Sequence, residues 1–307
     1  MQYWVGVTDN TWFDFLSREG ADEVNFWQPS GKPPFTNLQP GAPFLFKLKK
    51  PFNHVAGGAF FVKFSALPMS MVWDVFERKN GAASRVHFEA MIRRLAADKT
   101  AKDPYVGCTV LSEPFFWPRD QWIDSKPYWK NNVVVGCYFD SRKEPGARLW
   151  SEVEARQALP LAADAPAVYA QDQDRYGQPL LVRPRLGQSG FQVVVTDAYQ
   201  RRCAITGERT LPVLEAAHIL PYAEQGPHEL QNGLLLRSDF HKLFDKGLVT
   251  ITVDLNVEVS PKIRDEWFNG KAYYRLHGQR LANLPRDPTH HPSRRYLQWH
   301  NEHRFQA

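Results

Sequence analysis

The sequence predicts an α+β protein of two domains, on three observations. At 307 residues the chain exceeds what one hydrophobic core usually organises. Aromatic residues are unevenly spread: 26 of the 41 Phe, Trp and Tyr lie in residues 1–140, the mark of a strand-rich half with a large aromatic core or an aromatic pocket. Residues 211–251, "LPVLEAAHILPYAEQGPHELQNGLLLRSDFHKLFDKGLVTI", set three histidines, an asparagine and Gly-punctuated turns between short apolar runs, which is poor material for packing alone. The expected division is 1–140, a helix and linker at 141–182, and 183–307.

In the first half, strands are expected at "YWVGV" (3–7), "PFLFKLK" (43–49), "GAFFVKFSAL" (58–67), "YVGCTVL" (105–111) and "NVVVGCYF" (132–139), separated by turn residues. Val86, Met91, Ile92 and Leu95 recur at three- and four-residue steps, predicting a helix from about Ser84. Several short strands with one or two helices suggest a small mixed barrel. A short helix near Leu149–Ala158 then gives way to an Ala, Pro and Asp-rich stretch, the natural linker.

The second half starts with a helix carrying Phe191, Val194, Val195, Ala198 and Tyr199, closed by the Thr206-Gly207 turn. "VLEAAHI" (213–219) reads as a short strand ending in His218. A loop with Pro221, Gly226 and Pro227 follows, then "NGLLL" (232–236), then a helix from about Ser238. Positions four apart on a helix are neighbours, which puts His241 and Asp245 on one face.

Composition excludes some classes. No run of about 18 apolar residues suggests a membrane helix, and "MQYWVGVTDNTWFDF" lacks the basic start of a secretory signal, so the expected location is the cytoplasm. Cys108, Cys137 and Cys203 are odd in number and far apart, arguing against a disulfide framework and against a four-cysteine zinc site. The net charge of +5 is compatible with a polyanion but supplies no basic tail, so nucleic acid would have to be met in a shaped groove.

The order His218, Asn232, His241 across strand, loop, strand and helix resembles the ββα-metal fold of HNH endonucleases. The spacing is similar to that in the nuclease domain of RNA-guided DNA-cleaving enzymes. "AAHILPYAEQGPHELQNGLLLRSDFHKLFDKGL", with "RLGQSGF" before it and "LQWHNEHRF" behind, looks like the HNH subfamily of bacterial restriction enzymes. The resemblance covers about 183–305. It implies His218 as general base, Asn232 as the residue that pins the loop and orients His218, and His241 as a ligand of Mg²⁺ or Mn²⁺. Phosphodiester hydrolysis needs such a base and a cation to stabilise charge on the phosphate. Many members carry an acid just before the first histidine, and here that residue is Ala217. Asp245 is therefore the candidate second ligand, ahead of Asp239 and Glu215, although it could instead serve the turn before Gly247. His228, in the Gly-Pro loop, reads as an ordinary surface or satisfied histidine. "CAITG" keeps only Cys203 where zinc-bearing members have a Cys pair, so no structural zinc is expected.

In the first half, "YWVGVTDNTWFDFL", "EVNFWQPSG", "LQPGAPFLFKLKKPFNHVAGGAFFVKFSAL" and "VVGCYFD" follow in order the pattern of the EVE and YTH domains of the PUA-like superfamily. That resemblance, over about 1–140, implies a small barrel whose pocket takes one modified base out of the stack. Trp27 then falls on the cage tryptophan and Asn25 on the polar residue before it, with Trp73 as a second wall. Aromatic faces are worth ~1–3 kcal/mol per stacked base, but Trp and Phe of a small barrel are also core, Trp4 and Trp12 above all. Together the two resemblances imply an endonuclease acting on double-stranded DNA that carries a modified cytosine, 5-methyl or 5-hydroxymethyl. A double-strand break would then need a homodimer or two successive nicks. The alternatives are a non-cleaving reader with a degenerate HNH site and an unspecific nuclease.

Overall fold

The computed structural model describes residues 1–96, 98, 100–130, 132–157 and 186–307. The chain forms two compact units, Met1–Arg185 and Leu186–Ala307. The stretch read as a linker, 159–182, lies outside the described residues.

The first unit runs β1 (Gln2–Thr8), α1 (Asn10–Leu16), β2 (Glu23–Gln28), β3 (Pro43–Leu48), β4 (His54–Pro68), α2 (Met69–Phe76), α3 (Arg85–Leu95), β5 (Tyr105–Phe116), β6 (Ile123–Asp124), β7 (Gly136–Asp140) and α4 (Gly146–Gln157). Its sheet is ordered β2-β5-β4-β3-β1-β7, with β6 beside β4. Only the β1–β3 pair is parallel among these neighbours. Side chains of a strand alternate between faces, and β1 uses both. Trp4 enters an aromatic core with Trp12, Phe13, Phe44 and Phe46, whereas Tyr3 and Val5 enter a second core with Leu45, Leu149 and Val153. Two register shifts interrupt the β4–β5 pairing, between Gly58 and Phe60 and between Phe61 and Lys63. Such irregularities bend a strand locally. A side chain at Gly57 would meet the Phe115 carbonyl at 2.2 Å, so close approach of two backbones accounts for the first glycine of the "GG" pair.

Several details depart from the sequence reading. The helix assigned with the linker, α4, buries Leu149 and Val153 in the second core, so the first unit continues past residue 140. Helix α3 is capped by Ser84, whose hydroxyl accepts from the His87 amide, but it buries Phe88 and Ile92 while Val86 and Leu95 face solvent. Helices α1 and α2 and strand β2 were not anticipated as elements. Asp9 starts α1 by accepting from the Thr11 and Trp12 amides, a side-chain cap that offsets the weak helix preference of its aromatic residues.

The second unit runs α5 (Gln188–Ala198), β8 (Leu214–His218), β9 (Gly233–Arg237), α6 (Ser238–Asp245), β10 (Val249–Ile251), β11 (Val257–Val259), α7 (Lys262–Trp267), α8 (Lys271–Tyr274) and α9 (Arg294–His303). β8 and β9 form an antiparallel pair, as do β10 and β11. Phe191 and Val195 of α5, Tyr199 just after it, Leu234–Leu236 of β9, Phe240 and Phe244 of α6 and Leu297 of α9 share one apolar core. Gly247 ends α6 with φ +68° and lies so near the Arg304 carbonyl that a Cβ would sit 1.9 Å from it. Both facts require glycine there.

Candidate HNH active site

β8 delivers His218 at its last residue, opposite Gly233 of β9. A Cβ on Gly233 would come within 2.5 Å of Val195 Cγ2 and 3.1 Å of the Phe191 ring. Its backbone is extended (φ −116°), so space, not turn geometry, demands the glycine. The gap lets α5 lay Phe191 flat against the His218 imidazole, centroids 3.9 Å apart and planes 13° apart. Phe191, the last residue of the "RLGQSGF" motif, thus supplies the floor under His218.

Asn232 is fully buried. Its Oδ1 accepts from the Leu220 amide at 2.8 Å, and its Nδ2 donates to the carbonyls of Leu220 at 2.9 Å and Pro227 at 3.0 Å. Its own carbonyl accepts from the Ile219 amide at 2.9 Å. One side chain thus ties both ends of the 220–227 loop to the start of β9. The loop in turn brings His228 to His218, with Nδ1 of His228 2.9 Å from Nε2 of His218. His228 also stacks on Tyr222, centroids 4.7 Å apart and planes 10° apart. The one local signal in the sequence for this contact is the Gly226-Pro227 turn beside His228.

Burial pushes the His218 imidazole down to about 4, and the neighbouring His228 and His241 add to the shift. The ring is therefore neutral near pH 7, the state able to take a proton.

On α6, His241 and Asp245 share a face as their spacing predicts, with His241 Nε2 3.4 Å from Asp245 Oδ2. Phe240 and Phe244 anchor the opposite face in the core. The other ring nitrogen, Nδ1, lies 2.6 Å from Glu215 Oε2. The sequence favours Asp245 over Glu215, but β8 brings Glu215 in, because residues two apart on a strand share a face. Ala217, two residues on, is fully buried in the apolar core. The acid next to His241 thus comes from Glu215 rather than from position 217. Asp239 is held by Arg237 through contacts of 2.7 and 2.8 Å, which lower its carboxyl below the usual range; it is committed elsewhere. Burial, with Glu215 adding, pushes the Asp245 carboxyl up against the opposing pull of His241 and Arg304.

Residues 203–252 match the family model described as HNH endonuclease. The C-terminal unit carries an HNH endonuclease domain. No curated protein matches the chain. Among solved structures, ASCH from Zymomonas mobilis is 9% identical over 50% of this chain and 94% of its own, with a TM-score of 0.34. The modification-dependent TagI restriction endonuclease is 16% identical over 93% of this chain and 76% of its own, with a TM-score of 0.27.

HNH nucleases generally depend on a divalent metal. Among the described residues no three His, Cys, Asp or Glu side chains converge into a metal cage. An ion such as Mg²⁺ does not need one, since it keeps several waters and binds through one or two protein ligands plus substrate phosphate. The 3.4 Å between His241 Nε2 and Asp245 Oδ2 is near the roughly 3 Å edge of an octahedral shell with ~2.1 Å bonds. Glu215 at Nδ1 orients the ring so that Nε2 presents its lone pair, the usual service of a carboxylate behind a ligating histidine. The donor set of the HNH domain therefore fits a hard cation. Cys203 is buried, and its sulfur accepts from the Thr206 and Arg237 amides at 3.4 and 3.3 Å.

In the first unit, Asn25 is fully buried and its Nδ2 donates to Asn80 Oδ1 at 2.8 Å, while its Oδ1 has no hydrogen-bond partner among the described residues. Trp27 is partly buried, and its Nε1 donates to the Asn80 carbonyl at 2.9 Å. Trp27 and Trp73 both rest against Phe88, at centroid distances of 5.6 and 6.0 Å. Trp4 and Trp12 are core residues. Among the described residues no helix is long and apolar enough to cross a membrane.

Proposed function

We propose that this chain is a modification-dependent DNA endonuclease. The HNH domain hydrolyses phosphodiester bonds, and the first unit selects DNA carrying a modified cytosine, 5-methyl or 5-hydroxymethyl, by taking the base out of the stack. The observation that carries the nuclease part is that one small unit sets His218 on Phe191, near enough to His241 to feel its charge, and sets Glu215 and Asp245 against His241.

In this reading His218 takes the proton of the water that attacks phosphorus, and the bond to the leaving oxygen breaks. His241 Nε2 and Asp245 would hold Mg²⁺ or Mn²⁺, and the chemistry such an ion would supply there is neutralisation of negative charge on the phosphate and the leaving oxygen. Glu215 keeps His241 in the ligating tautomer, and Asn232 keeps the base-bearing segment in place. The neutrality of His218 supports the base role, since a ring that is already protonated cannot accept.

Support for the modified-base part comes from the aromatic motifs around Trp27 and from the Asn25 Oδ1. A buried acceptor without a partner costs about 1–3 kcal/mol and is uncommon enough to need a reason. A base edge that donates to it would be one. Asn25 is shielded by Asn80, so a base reaching it has to displace that turn. Digestion of matched duplexes bearing cytosine, 5-methylcytosine, 5-hydroxymethylcytosine or glucosylated cytosine, with Mg²⁺ or Mn²⁺, tests both parts. Preferential cutting of a modified duplex is expected. Equal cutting of all four would leave an unspecific nuclease, and binding without cutting would leave a reader with a degenerate site.

A further inference from the structure

We infer that His228 is a positioning residue for His218: it accepts a hydrogen bond from the His218 Nε2–H and so keeps the His218 Nδ1 bare for the proton of the attacking water. The inference rests on the base role given to His218 above.

A neutral imidazole carries one proton, and the nitrogen that holds it cannot act as base. Nε2 of His218 and Nδ1 of His228 are 2.9 Å apart, so one of the two donates and the other accepts. If His228 donated, the His218 proton would sit on Nδ1 and its lone pair on Nε2 would be consumed by the bond, leaving no nitrogen for water. With His218 donating, Nδ1 is uncommitted, and among the described residues no hydrogen bond reaches it.

The surroundings hold both rings in that relation. Phe191 lies flat under His218 and Tyr222 lies flat on His228, so each imidazole is fixed in plane by an aromatic face. The loop between them has little freedom. Asn232 fastens Leu220 and Pro227, and the Gly226 amide donates to the Pro221 carbonyl at 3.0 Å. A Cβ at Gly226 would stand 1.9 Å from the Leu220 carbonyl. Asn232 thereby acts on the base through two routes: it holds Leu220, two residues after His218, and Pro227, the residue before His228. A side chain that seemed an ordinary loop histidine becomes the device that selects the tautomer of the base.

The test uses the full chain and two substitutions. Nitrogen-15 NMR of the metal-free protein at pH 7.5 should show the His218 proton on Nε2 in the wild type and a mixed tautomer in His228→Ala. Asparagine places Oδ1 where the histidine has Nδ1, so His228→Asn should restore the Nε2–H form. In plasmid nicking, His228→Ala should lower kcat about 10–100-fold, the usual effect of losing an orienting partner, with KM within about twofold. His228→Asn should recover to within about threefold, because it can accept a hydrogen bond but cannot pass a proton on. A wild-type His218 protonated on Nδ1 would overturn the inference whatever the variants do. So would His228→Ala nicking at the wild-type rate, or an inactive His228→Asn with an unchanged melting temperature, which would point to proton relay. If wild type cuts no DNA at all, the nuclease reading fails, while the tautomer measurement still decides the role of His228.

Discussion

His218 and His300 are each laid flat on a phenylalanine, His218 on Phe191 at 3.9 Å and His300 on Phe244 at 3.7 Å, both with planes 13° apart. Burial pushes both down to about 4. They differ in what their nitrogens do. His300 spends both, with Nδ1 2.7 Å from Thr250 Oγ1 and Nε2 3.1 Å from the Phe244 carbonyl, and it is nearly inaccessible at 2% exposure. Among the described residues His218 spends only Nε2, on His228, and it is partly open. A perturbed pKa and an aromatic stack thus do not mark a catalytic residue. An uncommitted, reachable nitrogen does, and His300 is a packing residue that fastens α9 to α6 and β10.

Paired substitutions test this contrast most strongly. His218→Ala should lower plasmid nicking about 10²–10⁴-fold, the usual worth of a general base, while DNA affinity and melting temperature barely move. His300→Ala should do the reverse. Loss of about 2–4 kcal/mol of stability is expected from the cavity and from leaving its partners unpaired, with normal activity in the fraction that stays folded. Should His300→Ala abolish cleavage in a fully folded protein, the distinction drawn here is lost.

The first unit offers the next largest effect, because there an aromatic ring is proposed to bind rather than pack. Trp27→Ala should weaken binding of modified duplex about five- to 150-fold, from ~1–3 kcal/mol of stacking. Weak binding to unmodified duplex should keep its salt dependence, since phosphate contacts carry it. Equal loss on both duplexes, or a large fall in melting temperature, would return Trp27 to the core alongside Trp12.

Two carboxylates near the HNH helix sharpen the contrast at smaller scale. Asp245→Asn should raise the Mn²⁺ concentration for half-maximal nicking by about tenfold or more. Asp239→Asn, whose carboxylate Arg237 holds, should leave it within about twofold. Similar shifts for the two would place the ion away from Asp245.

The same contrast extends to acid. His300 and His218 stay neutral in the folded chain down to about pH 4, whereas unfolded histidine protonates near 6.5. The unfolded state therefore binds more protons between those values, and stability falls as pH drops from about 6.5 toward 4. Denaturant melts at pH 7, 5.5 and 4.5 should show that slope, flattened more by His300→Gln than by His218→Ala because His218 is partly solvated. An identical slope in His300→Gln would remove His300 from the account.

Local pattern carried much of the HNH unit. The β8, β9 and α6 boundaries, and the shared face of His241 and Asp245, follow from strand alternation and helical spacing, which are properties of neighbours in sequence. Less of the first unit was legible. Helix α1 is one short capped segment of aromatic residues, which favour strands when judged alone, and β2 has its partner β5 about eighty residues away. The role of α4 was hidden for a similar reason, since Leu149 and Val153 find their cavity beside Tyr3 and Val5 at the far end of the first unit's sequence.

What the sequence by itself determined is the set of chemical groups and their local order: His218 at a strand end, Asn232 before a glycine, His241 one helical turn before Asp245. Tertiary structure alone decided which of them meet. Glu215 reaches His241 because β8 packs beside α6. His228 reaches His218 because Asn232 folds the intervening loop back on itself. His300, which looks equally reactive by composition, is silenced by Thr250 and a backbone carbonyl. Spacing constrains side chains within one element, whereas the partner of a ring nitrogen depends on how separate elements close over one core, and that is not a local property of the chain.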